Sequence, residues 1–404
     1  MKHLTIFLIS FTLLVLACGP GGRVAPTSAG DTPVPSPALS EVEATATEAG
    51  ITPATTAASG ATTAAPETPA LPPTSPPQAT AAPPTAQIAA GDYIDAHMHL
   101  DGMYRSGSGA VKDYETAAEN LIALMDQYNV TRALVMPPPQ YPGQPGAYDY
   151  HNLLGAVAEH PGRLYLVAGG GTLNPLIVGT DASDVTEQLR ADFENKAEAI
   201  IDDGAVAFGE MAALHLCMQQ RHHFIAAPPN HPLFLLLADI AARHGVPIDL
   251  HMEAAPEDIP MPSNLLQACS QNPSTLAATI PPLEELLAHN RDAKIVWQHI
   301  GWDNIGYMTV DLLRRLLTEH PNLYLALKVE EREVQIESNN PMPNRIVDEN
   351  RQLRPEWLQL ISDFPDRFMI GADEFIGIPG ATPTYPQSFE EIWPLLDQLP
   401  PDLA

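Results

Sequence analysis

The chain has 404 residues, with 20 Lys and Arg against 49 Asp and Glu, for a formal net charge of −29. So acidic a surface argues against polyanionic partners, nucleic acid and anionic membrane alike. With only three cysteines, the fold cannot depend on a disulfide framework.

In chain order, Lys2 and His3 form a short positive end before the apolar run Leu4 to Leu16. That run is shorter than the about 20 apolar residues a spanning helix needs, and it fits the core of a secretory signal. It stops at "VLAC" before Gly19, which resembles a bacterial lipoprotein signal. The resemblance implies that Cys18 is lipidated and becomes the mature N-terminus, although Leu16 is bulkier than the residue usual there. The alternative is a plain signal peptide cleaved nearby. Residues 19–90 are rich in Thr, Ala and Pro, with almost no large apolar side chain to bury. Such a segment cannot offset the entropy of ordering itself and is expected to be a disordered linker, stiffened by its prolines. The expected organisation is a lipoprotein signal region over 1–18, the linker over 19–90 and a folded domain over 91–404. The resemblance implies an extracytoplasmic protein anchored to the cell membrane only through lipid at Cys18.

From Gly91, short β-rich apolar runs alternate with helical patterns. The strands are expected at 93–100, 131–137, 163–171, 205–211, 246–253, 293–302, 323–329 and 367–375. Between them, "TAAENLIALMDQYN", "DVTEQLRADFENKAEAIIDDG" and "TVDLLRRLLTEHP" repeat apolar residues at i, i+3, i+4 and i+7, which gives one buried face. Repeated strand–helix units force parallel pairing, and eight close into a (β/α)₈ TIM barrel. A doubly wound open sheet is the alternative, but no Gly-rich phosphate loop follows the first strand.

In such a barrel the chemistry lies at the C-terminal ends of the strands. Those ends carry His97 and His99, Glu210, His251, His299 and Asp373. Residues two apart on a strand point the same way, so His97 and His99 face the interior together, with Met98 packed outward. Two imidazoles on one face can bind one metal ion, which His251 and His299 can complete from the far side. Asp373 is placed to take a proton from a metal-bound water. Asp95 shares their parity but lies deeper, as a buried hydrogen-bond partner. Glu253 and Lys328 face inward near the mouth as substrate contacts, Lys328 towards a substrate carboxylate or Glu330.

Three long inserts follow the fourth, fifth and seventh strands and are expected to shape the pocket. The first carries His215, His222, His223 and His231 without a clean metal spacing and reads as a lid or substrate wall. "MPPPQYPGQPG" reads as a rigid rim loop. Cys217 and Cys269 could form one disulfide.

The motifs "DAHMHL", "FGEM", "DLHME", "WQHIGW" and "IGADEF" resemble the amidohydrolase superfamily, in particular its amidohydrolase-related branch. The resemblance covers nearly all of Gly91 to Leu396. It implies that His97, His99 and His251 bind metal, and that His299 is a ligand or a group orienting the water. It further implies that Asp373 binds metal and acts as general base, with Glu210 at the fourth-strand ligand position. That position holds Glu rather than a carboxylated Lys, which disfavours a carbamate bridge and leaves a Glu-bridged pair open. Members usually run on past the equivalent of "LPPDLA" into a final helix, so the expectation is either that this helix is missing here or that the gene product ends early.

The implied activity is hydrolysis of an ester, lactone, amide or phosphoester in a small-molecule substrate by metal-activated water. One or two divalent ions would serve, Zn²⁺ first, with Mn²⁺ or Fe²⁺ fitting the same donors. A metal-dependent decarboxylase of the same superfamily is the alternative, and an inactive surface-binding lipoprotein is the second.

Replacing Cys18 by Ser should move the protein from the membrane fraction to the soluble fraction. Unchanged partitioning on cell fractionation would argue against the anchor.

Overall fold

A computed structural model describes residues 93–101, 103–106, 109–144, 148–218, 223–329, 342–379 and 392–404. The expected signal region with Cys18, and the linker, lie outside the described residues. No helix of the described residues is long and apolar enough to cross a membrane.

The central sheet consists of β1 (Tyr93–Leu100), β2 (Val130–Val135), β3 (Leu164–Gly169) and β4 (Ala207–His215), followed by β5 (Ile248–Met252), β6 (Ile295–Ile300) and β7 (Leu323–Leu327). The last strand comes in two pieces, β8 (Phe368–Ile370) and β9 (Glu374–Ile376). Each strand from β1 to β7 pairs in parallel with the next. β8 then pairs with β7, and β9 pairs with β1, also in parallel. The ring is therefore closed: this is a (β/α)₈ barrel and not an open sheet.

A main helix lies between each pair of successive barrel strands, with shorter helical turns at Asn174–Val178 and Ser263–Ala268 beside two of them. The main helices are α1 (Tyr114–Tyr128), α2 (Leu154–Ala158), α3 (Glu187–Asp202), α4 (Pro232–His244), α5 (Ile280–His289), α6 (Val310–Glu319) and α7 (Pro355–Asp363). Their starts are written locally. Asp113, Thr186 and Thr309 each accept a backbone N–H from the first turn of α1, α3 and α6. On α6, Leu313, Leu316 and Leu317 are buried at helical spacing. These stripes pack on outward strand residues such as Met98 and Trp297 in one continuous core.

Two features depart from the strand pattern in the sequence. β4 runs on from Met211 to His215 because Ile225–Ala226 folds back and pairs antiparallel with Leu214 and His215. The expected last strand is broken at Gly371, Ala372 and Asp373. Gly371 is required there, since a Cβ would lie 2.8 Å from the Cβ of His97. The break is tied down on both sides: Gly371 N–H donates to Leu327 O at 3.2 Å and Asp373 N–H to His97 O at 2.9 Å. Ala372 N–H donates to the Asp95 carboxylate at 3.2 and 3.3 Å, and Asp95 also accepts the N–H of His97 at 3.0 Å. Burial pushes the Asp95 carboxyl up to about 7 against the pull of these bonds. At the end of the described chain the segment makes a short 3₁₀ helix, Trp393–Gln398, and Ile392 and Leu395 join the core.

Asp95→Ala should take the carboxylate acceptor away from the buried N–H groups of His97 and Ala372. At roughly 1–3 kcal/mol each, the variant should lose about 2–6 kcal/mol of unfolding free energy in urea denaturation. An unchanged midpoint would show that Asp95 does not hold the closure.

Candidate metal centre

Four imidazoles and two carboxylates meet at the C-terminal mouth of the barrel. His97 and His99 come from β1, Glu210 from β4, His251 from β5, His299 from β6 and Asp373 from the break between β8 and β9. His97 Nε2 and His99 Nε2 are 3.1 Å apart. Glu210 Oε2 is 3.3 Å from His99 Nε2 and 3.6 Å from His97 Nε2. Asp373 Oδ1 repeats that relation at 3.2 and 3.6 Å. The second oxygen of Glu210, Oε1, is 2.7 Å from His251 Nδ1 and 3.2 Å from His299 Nε2. Glu210 therefore joins two donor groups, His97 with His99 and His251 with His299, one to each carboxylate oxygen.

The strands bend to achieve this. Pairing register shifts between Asp95 and Met98 on β1, between Phe208 and Met211 on β4, and between Trp297 and Ile300 on β6. Each shift brackets a donor, and bulges of this kind re-aim side chains beside functional sites. His299 and Asp373 also hold left-handed backbone, φ 64° and 53°. For non-glycine residues that costs about 1–3 kcal/mol and persists only where the surroundings over-determine it.

The ring nitrogens are assigned by their other contacts. His99 Nδ1 lies 2.9 Å from Met136 O, and His97 Nδ1 lies 3.0 Å from Asp249 Oδ2. Each Nδ1–H donates there, so Nε2 is the ring nitrogen that each offers inward. Two such nitrogens 3.1 Å apart need a cation between them, a proton or a metal ion. A tetrahedral ion with donors at about 2.0–2.1 Å spaces those donors by roughly 3.3 Å, and the separations here fit. The chemistry of the donor set fits too, being imidazole and carboxylate throughout.

Burial raises the carboxyl of Glu210, but hydrogen bonds from His251, His299, His97 and His99 outweigh it and hold the group well below the usual range. Burial opposes ionisation of Asp373 likewise, and Lys328 and His299 hold it well below its ordinary value. Burial pushes His299 down to about 3 despite Asp373 and Glu210. That keeps its imidazole neutral, the form that ligates.

The other expected residues fall nearby with different partners. Lys328 pairs with Asp373 Oδ2 at 2.5 Å, while Glu330 lies outside the described residues. The Glu253 carboxyl is pushed up to about 8 by burial, against a hydrogen bond from Asn304. His231 caps α4 and faces Thr180 O, a structural role. The rings of His215 and His251 are 4.8 Å apart, and His215 Nδ1 donates to His223 O at 2.8 Å. The His223 ring lies 4.5 Å from that of Tyr141, in the proline-rich rim loop. His222 and residues 330–341 of the third long insert lie outside the described residues. A Cys217–Cys269 disulfide joins the loops after β4 and β5. Asn272 reinforces it, accepting from Cys217 N and donating to Cys217 O, both at 2.9 Å.

The sequence reading passed over Asp249. It orients His97 and is itself held by the Gln298 side-chain amide. The signal was present: Asp249 precedes His251 by two residues and so shares its face.

No family model matches the chain, and no curated protein matches it. Solved structures are similar to it at low identity. A probable 2-pyrone-4,6-dicarboxylic acid hydrolase from Acinetobacter baumannii is 17% identical over 76% of this chain and 92% of its own, with a TM-score of 0.40. A 4-oxalomesaconate hydratase from Rhodopseudomonas palustris is 10% identical over 77% and 91%, also at 0.40. A dihydroxybenzoic acid decarboxylase from a Polaromonas species, solved with manganese and 2-nitroresorcinol, is 13% identical over 78% and 99%, at 0.35. Likeness of this size carries nothing about activity across to this chain.

Asp249→Ala should leave His97 free to turn. Loss of a group that orients a ligand typically weakens metal affinity about 10–100-fold. Chelator competition on the purified variant measures this, and wild-type affinity would remove Asp249 from the centre.

Proposed function

We propose that this protein is a metal-dependent hydrolase of the amidohydrolase superfamily, with His97, His99, Glu210, His251, His299 and Asp373 holding divalent ions. The observation that carries the reading is the pair of inward Nε2 atoms of His97 and His99, 3.1 Å apart, facing two buried carboxylates. Zn²⁺ suits these donors best, with Mn²⁺ and Fe²⁺ close behind. Glu210 divides its oxygens between the two donor groups, which supports two ions rather than one. Ions bound here supply Lewis acidity, polarising a substrate oxygen and lowering the pKa of water.

The chain's own residues supply the rest. Asp373 takes a proton from the attacking water and later returns it to the leaving group. His299, neutral and hydrogen-bonded to Glu210, fixes the geometry at the second donor group. The loops joined by Cys217 and Cys269 wall the mouth and shape it for a small molecule with an ester, lactone, amide or phosphoester bond. Lipid at Cys18 and the Thr/Ala/Pro-rich linker hold this domain at the outer face of the cell membrane.

Metal analysis of the purified full chain tests the centre. We expect bound divalent ion in the wild type and its loss in a His97→Ala, His99→Ala double variant. Full occupancy in that variant would sink the assignment. For the base, Asp373→Asn keeps a ligating oxygen but cannot take a proton. On a substrate found by screening it should retain metal while kcat falls by about 10²–10⁴. Near-normal kcat would move the role to Glu210 or His299. Turnover only of carboxylated aromatics in that screen would replace hydrolysis by decarboxylation.

A further inference from the structure

Lys328 immediately follows β7 and is 7% exposed. Its backbone is fixed, with N–H donating to Ile300 O at 2.8 Å. Its carbonyl lies where a Cβ on Gly301 would come within 2.8 Å. Its ammonium sits 4.8 Å above the ring of Trp302 and 2.5 Å from Asp373 Oδ2. The other oxygen of Asp373 points the opposite way, 3.2 Å from His99 Nε2 and 3.6 Å from His97 Nε2. The two oxygens of one carboxylate thus have different tasks. Without a partner for Oδ2, rotation about the last side-chain bond would exchange the oxygens or turn both towards the donors. A point charge buried against Trp302 removes that freedom.

We propose that Lys328 is a positioning residue: it holds Asp373 Oδ2 so that Oδ1 alone is offered beside His97 and His99. It thereby sets the metal affinity of that half of the centre more than that of the half made by His251 and His299. The inference rests on the metal-centre reading. It adds a bias between the halves, because Asp373 Oδ1 stands beside His97 and His99, while Oδ2, the oxygen that Lys328 holds, reaches the other half only through His299 Nδ1 at 3.6 Å.

The test is a Co²⁺ titration of the metal-free full chain, followed by calorimetry and the visible spectrum of the bound ion. His99→Ala and His251→Ala identify which half each binding step belongs to. Lys328→Met keeps the length and the packing on Trp302 but removes the charge. It should weaken binding at the half emptied by His99→Ala by about 10–100-fold. Binding at the half emptied by His251→Ala should weaken by clearly less. Lys328→Arg, which returns a cation to Oδ2, should recover most of the loss, which a merely structural role does not predict. Lys328→Gln gives the same comparison if the Met variant does not fold. Equal weakening of both halves, or of neither, overturns the proposal. A wild type that takes up no Co²⁺ overturns the metal centre itself, a different and recognisable failure.

Discussion

The barrel is closed by a strand that is deliberately interrupted. A continuous last strand would alternate its side chains and hold its hydrogen bonds along the whole ladder. Here β8 satisfies β7, β9 satisfies β1, and the residues between them hand the chain from one ladder to the other. Their N–H groups go instead to Leu327, Asp95 and His97. That exchange frees Asp373 from the pleat, so its side chain meets donors from the opposite wall. The buried carboxyl of Asp95 is the fastener, because it accepts from the first strand and the last at once.

The donors are held by groups that also decide their chemistry. Met136 O and Asp249 fix the tautomers of His99 and His97, and Glu210 spans the gap to His251 and His299. Buried charges are tolerated only when paired, and here Glu210 and Asp373 each have an imidazole or ammonium against them. The bulges on β1, β4 and β6 are the mechanical counterpart of that charge pattern. They spend regular pairing at three points and convert it into convergence.

Much of this was legible because a strand has a period of two. His97 and His99 could be set on one face from spacing alone, and the alternation of strands and helices gave the barrel. The legible part ended where partners are distant in sequence. Lys328 meets Asp373 across 45 residues, and no local pattern announces that pair. Asp249 was overlooked for another reason: attention to strand ends favours the outermost residue, whereas an orienting group sits one step deeper. The continuation of β4 to His215 depends on a partner strand of two residues, Ile225–Ala226, too short to register as hydrophobic periodicity. The break in the last strand was equally invisible, since "RFMIGADEF" reads as one apolar run and only the contact of Gly371 with His97 explains why it parts.

The Cys217–Cys269 bond has a topological consequence for a domain whose loops crowd one rim. It closes a covalent ring containing α4 and β5, with the two cysteines 52 positions apart. A peptide bond hydrolysed anywhere inside that ring leaves one molecule, because both new ends stay attached through sulfur. The exposed loop tips around the mouth are the preferred places for such a cut. Where thiols stay oxidised, the domain can be nicked there and still keep its barrel and its ligand set in one covalent piece, coming apart only when a reductant follows the protease.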